Sequence, residues 1–230
     1  MEENIFDKLG ESYDKIFPSH IFEYYLTERI KLIQKILSKS KVKILDVGCG
    51  TGTLIYHLNK LGYDAYGIDN SFKMVEIANK KNPGKVKKGD MLNLEFKNQS
   101  FDLVISIVSL HHLGNLNRVE KAVNEMIRVT KKSGFILIWE HNPFNPYWYF
   151  LMKKVPQDIG EEKLIPLWII IKIFKKNNIK IEKILKTGFV PDFAPEWSLP
   201  ILKFLEKGIK KLPLLSMFLL AHNVIIGKKE

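Results

Sequence analysis

The stretch Lys43–Leu54, KILDVGCGTGTL, decides how the rest of the chain is read. A short apolar run carrying one aspartate, Asp46, gives way to three glycines at alternate positions, Gly48, Gly50 and Gly52. Glycine inside a strand weakens it and usually marks a sharp turn or the close approach of a ligand to the backbone. Residues 43–48 read as a strand, β1, and residues 52–61 as a helix ended by Gly62. The glycines therefore sit at a strand-to-helix turn, where backbone N–H groups and the helix N-terminus can face a ligand.

Strand and helix signals alternate on both sides of this turn. Residues 21–38 have helical spacing (Ile21, Tyr25, Ile30, Ile33, Leu37). After β1 come β2 (64–69), a helix over 71–81 stopped by Asn-Pro-Gly, β3 (85–90), β4 (101–109), a helix over about 115–130 and β5 (135–141). The nearly continuous apolar run of β4, FDLVISIVS, suits a central parallel strand covered on both faces. This rhythm predicts a doubly wound α/β sheet with its ligand at the carboxyl ends of the strands. Beyond residue 142 the rhythm changes. An aromatic, proline-marked loop (NPFNPYWYF) leads to a helix over 162–177, a strand β6 over 179–189, an amphipathic helix over 199–211 and a last strand β7 over 219–229.

Three ligand classes compete for the glycine turn. A dinucleotide fingerprint needs G-x-G-x-x-G, but the spacing here is G-x-G-x-G, with Thr53 in the third glycine's place. A phosphate-binding Walker loop needs a lysine after its last glycine, and none follows Gly52. The third class is a cofactor without phosphates. Asp46 would repel a pyrophosphate and favour a cationic ligand carrying an ammonium and a sulfonium.

The run LDVGCGTG resembles the first motif of class I S-adenosylmethionine-dependent methyltransferases, and three further motifs follow in register through residue 141. GIDNS (67–71) is similar to the acidic end of β2, which implies Asp69, with Asn70 beside it, on the ribose hydroxyls. GDMLNLEF (89–96) is similar to the segment whose acid, here Asp90 followed by Met91, meets the adenine. FDLVISIVSLHHL (101–113) resembles the fourth motif, whose turn, here at Ile107, passes the methionine part of the cofactor. The resemblance also implies that Asp46, Gly48, Cys49, Gly50 and Gly52 line the cofactor, and that LGESYDKIF (9–17) folds over it as a lid, with Tyr13 against it. It implies a seven-stranded, Rossmann-like sheet in the order 3-2-1-4-5-7-6, mostly parallel with strand 7 antiparallel. Within the family the LHHL signature resembles that of the small-molecule and lipid-quinone type. WEHNPFNP, TGFVP and the last residues resemble a subgroup associated with glycan and surface-polymer biosynthesis. Asp46 and Asp90 also suit turn caps, Tyr13 suits a helical hairpin, and Cys49 suits a small buried filler.

Methyl transfer asks the protein chiefly for proximity and orientation. A general base matters where the acceptor is a weakly acidic hydroxyl, and histidine is best matched to that task near neutral pH. Two constellations fall at the carboxyl edge, His111–His112 after β4 and Glu140–His141 at the end of β5. His112 and His141 are the expected bases, with Glu140 as their orienting partner. HNPF (141–144) is similar to the Asn-Pro-Pro-Phe motif of nucleic-acid amino-methyltransferases, but that motif closes β4 and this one follows β5, which argues against amine methylation of DNA or RNA.

Composition sets the remaining bounds. The chain has 230 residues, 46 % of them hydrophobic, and a single cysteine, so no intrachain disulfide can form. The acidic start lacks an apolar leader, and the longest apolar runs, 164–171 and 212–221, are shorter than the roughly 20 residues of a spanning helix. We therefore expect a cytoplasmic protein. The net charge of +11 would suit nucleic acid or an anionic membrane. However, only Arg29, Arg118 and Arg128 are arginines. Lysine-rich, arginine-poor usage fits AT-rich coding and argues against nucleic acid. Along 199–215, Ile201, Leu202, Leu205, Ile209 and Leu212 share a face and Lys203, Lys207, Lys210 and Lys211 lie largely elsewhere. Such a helix either packs its stripe on the core or lies in a headgroup plane, peripheral to the membrane. We expect one methyltransferase unit over 1–230, with a helical lid over 1–40, a cofactor-binding core over 40–141, and acceptor-side elements and C-terminal strands over 142–230. The acceptor is expected to be a small molecule, a sugar or a lipid-linked intermediate, methylated on a hydroxyl. No metal site is expected, and the sequence leaves the oligomeric state open. The rival readings are a non-catalytic scaffold that kept the cofactor fold and an RNA methyltransferase.

Overall fold

The computed structural model describes residues 5–37, 41–154, 156, 160 and 162–230. The ends of the expected lid, 1–4 and 38–40, lie outside them. Seven strands form one sheet: β1 Lys43–Val47, β2 Asp64–Asp69, β3 Val86–Lys88, β4 Phe101–Ile107, β5 Thr130–His141, β6 Ile179–Thr187 and β7 His222–Lys229. Their order is β3-β2-β1-β4-β5-β7-β6. The first five pair in parallel, and β7 runs antiparallel between β5 and β6. This is the order expected from the sequence.

The strand sequences explain why both faces are covered. Side chains alternate between faces along a strand. Leu45, Val104, Ile136 and Ile138 enter one apolar cluster with Met126 and Phe174. Ile44, Leu103, Ile105, Leu137 and Trp139 enter the other, with Ile33 and Leu58. Helices α5 (Leu116–Val129) and α7 (Leu167–Lys176) cover the first face, and α2 (Ser19–Ile36) and α3 (Thr53–Lys60) cover the second. Each fully buried aliphatic or aromatic side chain contributes ~1.5–3 kcal/mol. Helices α1 (Ile5–Leu9) and α4 (Phe72–Lys81) complete the carboxyl edge near β2.

The structure departs from expectation at four places. β5 begins at Thr130, because the Lys-Lys-Ser-Gly segment read as a turn is a bulge: Phe101 pairs with Thr130 but Leu103 with Phe135, and Ser133 takes φ 58°. Part of the aromatic loop is a short helix, α6 (Tyr147–Leu151), preceded by Pro146. The expected helix over 162–177 starts only at Leu167, because Pro166 disfavours helical backbone in the residue before it. Residues 213–219, in part assigned to the last strand, form α9 (Pro213–Leu219) with its proline at the helix start, where no N–H is missed.

Helix α8 (Leu199–Ile209) is anchored by a carboxylate rather than by its apolar stripe. Its one fully buried residue is Glu206. That side chain accepts from Thr187 Oγ1 at 2.7 Å, Gly188 N at 3.3 Å, Phe189 N at 3.1 Å and Tyr24 Oη at 3.3 Å, and it pairs with Lys210 Nζ at 2.6 Å. Burial alone would raise its pKa. Lys210 and the ring of donors outweigh that and hold the carboxyl below its usual range. Among the described residues no helix is long and apolar enough to cross a membrane.

Glu206→Ala leaves several buried donors unpaired, and we expect a loss of about 3 kcal/mol in urea unfolding at neutral pH. A carboxyl with a lowered folded pKa stabilises above its unfolded value and ceases to do so as pH falls through the folded one. The gap between parent and variant should therefore narrow toward acid pH. A constant gap would show that the charge of Glu206 does not matter.

Candidate cofactor and acceptor site

The glycine turn lies where β1 ends and α3 begins. Gly48 has φ 81° and Gly50 φ 52°, a region side chains rarely adopt. A Cβ on Gly48 would sit 2.7 Å from Ser109, so the turn after β4 can approach β1 only because that atom is missing. Gly50 is different, because its open side faces only the Tyr13 ring, 3.7 Å from where a Cβ would be. Asp69, at the end of β2, braces this turn: Gly50 N donates to one carboxylate oxygen at 2.8 Å and Ser71 N to the other at 2.9 Å. A carboxylate has about four acceptor positions, so Asp69 retains capacity for further hydroxyl donors. Burial raises its pKa, and the backbone donors oppose this.

The N-terminal segment is tied across this edge by two aspartates that the sequence reading passed over. Asp14 accepts from Thr51 Oγ1 and from Lys81 Nζ, both at 2.7 Å. Asp7 accepts from Ser71 Oγ at 2.6 Å and Lys73 N at 3.0 Å. Between them Tyr13 lies over Gly50, and Phe6 packs edge-on against both Tyr13 and His112.

Asp46 is buried, and its Oδ1 has no hydrogen-bond partner among the described residues. Burial pushes its pKa up to about 7; Arg29 on α2 opposes the rise and Asp69 adds to it. An unpartnered buried carboxylate beside the glycine turn fits a cationic ligand there, because uncompensated burial of a charge is costly. Cys49 packs behind the turn against Gly67, and burial pushes its thiol up, which disfavours the reactive thiolate. Asn70 and Asp90 are exposed at the same edge, and Asp90 Oδ1 accepts from Leu92 N at 2.8 Å, closing an Asx turn. The Met91 methyl approaches Gly48.

The turn after β4 is held by Glu140. Its Oε1 accepts from Ser109 N at 2.9 Å and Leu110 N at 2.7 Å, and its Oε2 lies 2.9 Å from His111 Nδ1. Glu140 therefore orients His111, not His112 or His141 as the sequence suggested. The reason is register: residue 111 falls in the short 3-10 turn Leu110–Leu113 directly above the end of β5. Val108, between the end of β4 and that 3-10 turn, has φ 52°, a strained value for a β-branched residue of the kind found at functional sites. His112 instead faces Phe6 and, at 3.8 Å, Glu162. His141 stacks on Trp148 at a centroid distance of 3.5 Å.

All three histidines line one cavity with Ile107, Tyr13 and Arg29. Trp148, from the aromatic cluster 146–150 whose rings suit a pocket for an apolar or sugar acceptor, closes it together with Asp192 and His222, neither of them singled out in the sequence. Burial pushes His112 down to about 2 and His222 to about 3, and drives His141 well below its usual value. These rings are neutral at pH 7. Burial raises Asp192 to about 6, against the hydrogen bond from Tyr147 and the charge of Arg29. The sequence signals for two of these residues are their places in the chain: His222 stands in the last strand, and Arg29 is the one arginine of α2. Asp192 gave no signal in the sequence.

Comparison with known proteins places this geometry. A family described as "Methyltransferase domain" matches residues 45–138. An uncharacterised protein of Methanocaldococcus jannaschii is 35% identical over 143 residues, 62% of this chain and 53% of that one. The ubiquinone biosynthesis O-methyltransferase of Pelagibacter ubique is 30% identical over 206 residues, 78% of this chain and 83% of that one. The chain spans about half to two thirds of the length of several other curated relatives. In fold, a crystal structure of a SAM-dependent methyltransferase from Thermotoga maritima superposes with a TM-score of 0.71 at 19% identity, covering 98% of this chain and 99% of that one. The seven-strand order, the glycine turn and these matches together show that the chain belongs to the class I S-adenosylmethionine-dependent methyltransferases.

Proposed function

We propose that this protein transfers the methyl group of S-adenosylmethionine to an oxygen of a small, largely apolar or lipid-linked acceptor held in the histidine-lined cavity. The observation that carries the reading is the Glu140–His111 pair beside that cavity. The cofactor would rest on the Gly48–Gly52 turn, with Asp69 on the ribose, Asn70, Asp90 and Met91 on the base side, Asp46 toward the cationic end and Tyr13 closing from the lid. When bound, the sulfonium supplies an already activated methyl group. The chain's own residues then have three tasks. The lid excludes water. Trp148, Tyr25 and Ile107 orient an apolar acceptor. A base takes the hydroxyl proton.

His111 suits the last task best. Glu140 already accepts two backbone N–H groups, so it receives the Nδ1 proton of His111 and leaves Nε2 free to accept one. This is the carboxylate–imidazole logic of activated hydroxyls. His112 and His141, neutral and packed against rings, serve as walls. The oxygen acceptor draws support from the relative named for O-methylation. An RNA acceptor is less well supported, because the cavity is lined chiefly by rings and aliphatic side chains and arginine is scarce. A scaffold role gives no use to the strained backbone at Val108 or to the buried Asp46 Oδ1 that no described residue satisfies.

Incubating the protein with methyl-labelled S-adenosylmethionine and a cell lipid extract tests the reading. Label should enter the organic phase and survive mild base, as an ether does and an ester does not. His111→Ala should lower turnover by about 10²–10⁴ at unchanged cofactor affinity, and by more than His112→Ala or His141→Ala. Equal effects of the three would remove His111 as the base.

Cofactor titration by calorimetry gives two further expectations. Asp69→Ala should weaken binding roughly tenfold to hundredfold, the worth of a charge-assisted hydrogen bond. Affinity should also rise with pH up to about 7, where Asp46 ionises, and level off above it, since a cationic ligand prefers the ionised carboxylate. Asp46→Asn should flatten that profile. An unchanged slope in the variant would assign the titration to another group.

A further inference from the structure

The α8–α9 hairpin is built inside out. On α8, Leu199, Leu202, Glu206 and Ile209 face the protein, while Ile201, Phe204 and Leu205 face outward. The sequence stripe is thus divided: Leu202 and Ile209 turn inward, and Ile201, Leu205 and Leu212 turn to solvent. Phe193, Trp197, Ile201, Phe204, Leu214 and Phe218 are between 48 % and 75 % exposed. Large apolar side chains left this exposed on neighbouring elements mark an interaction site. The surface continues into a groove whose lip is formed by Phe150, Phe193, Phe218 and Leu219. That groove and the histidine-lined cavity share Tyr25, Trp148 and Asp192 as a common wall.

Charge says what covers it. Between Trp197 and Leu219 the one acidic residue is Glu206, which is buried and paired with Lys210. Lys207 and Lys211 are exposed and, at helical spacing, border the outer apolar face on one side; on the same side Lys203 lies over the Tyr24 ring and Lys210 is held by Glu206. A second copy docked on this face would bring Lys207 and Lys211 against like charges, with Glu196, beside Trp197, as an exposed acid at the edge of the face, so the face stays net positive and self-association is unfavourable. An anionic lipid surface meets both demands, because it takes the rings and leucines below the headgroups and pairs the lysines at their level.

We infer that the α8–α9 hairpin and the aromatic lip beside it dock this protein on an anionic membrane surface, and that the groove opens the acceptor cavity toward the lipid. The second clause rests on the methyltransferase reading; the first does not. Flotation with phosphatidylcholine vesicles containing phosphatidylglycerol tests the surface without any turnover. The protein should float with them, float less as salt is raised, and stay below with pure phosphatidylcholine. Phe204→Asp combined with Leu214→Asp should reduce partition by about a hundredfold, since each exposed side chain contributes on the order of a factor of ten. Lys207→Glu with Lys211→Glu should abolish the preference for anionic vesicles, and it serves as the test if the first pair fails to fold. Cofactor titration should be unchanged in both pairs. The inference is overturned if the parent stays below at low salt, if the variants float like the parent, or if light scattering shows a dimer that either pair dissociates. A protein that floats yet binds no cofactor would overturn the function and leave this surface standing.

Discussion

One carboxylate, Glu140, fixes the relation between the end of β5 and the turn after β4. Parallel strands leave their carboxyl ends without mutual support, because each chain departs there for the far side of the sheet. Here β5 reaches across with two backbone N–H groups bound on one oxygen and an imidazole on the other. That fixes Ser109, whose hydroxyl donates to Val47 O at 3.0 Å at the end of β1. Three central strands are thus registered at the edge where ligands bind. The glycine turn follows from this constraint, since a side chain at Gly48 would collide with Ser109. The glycine motif at the end of β1 is shaped by a neighbour that enters the chain some sixty residues later.

The buried charges divide the molecule into two regimes. Glu206 is ringed by donors and a lysine, its carboxyl is held low, and its work is structural. Asp46 is buried and Asp192 partly so, each with few donors, and burial raises both. Arg29 lies near both of them, and its Nε also lacks a partner among the described residues. A fold that satisfied every charge would gain stability. Leaving Asp46 and Arg29 partly unsatisfied at the carboxyl edge keeps electrostatic free energy available for ligands of complementary charge.

Much of the fold was legible because it rests on local periodicity. The apolar run of β4, the glycine turn and the acid closing β2 each act through neighbours within a few residues, and their order dictates the sheet. The candidate site was legible only in part. Asp46, Asp69 and the glycines lie on motifs, but which histidine Glu140 would hold depends on a 3-10 turn set by tertiary hydrogen bonds, and spacing does not encode it. Arg29, Asp192 and His222 come from elements 163 or more positions apart in the first two cases and from the last strand in the third. Nothing local marks their convergence. The bulge at Lys131–Gly134 was likewise hidden, because Lys-Lys-Ser-Gly has turn composition whether or not a strand continues through it.

The amphipathic helix shows how far the same sequence pattern can mislead. A stripe at helical spacing predicts one apolar face, but α8 has two, because its leucines and isoleucines outnumber the positions that one face offers. The fold resolves the excess by spending the inward face on a hydrogen-bonded glutamate with half-buried neighbours, which leaves Phe204 and Ile201 outside. Hydrophobic burial alone would reverse that choice. The choice stands because Glu206 satisfies Thr187, Gly188 and Phe189 at the end of β6 and so fixes the turn that leads to Asp192. Anchoring the helix through a polar hub frees its apolar residues from the core. The hairpin can then present them outward while the wall of the histidine-lined cavity stays in place.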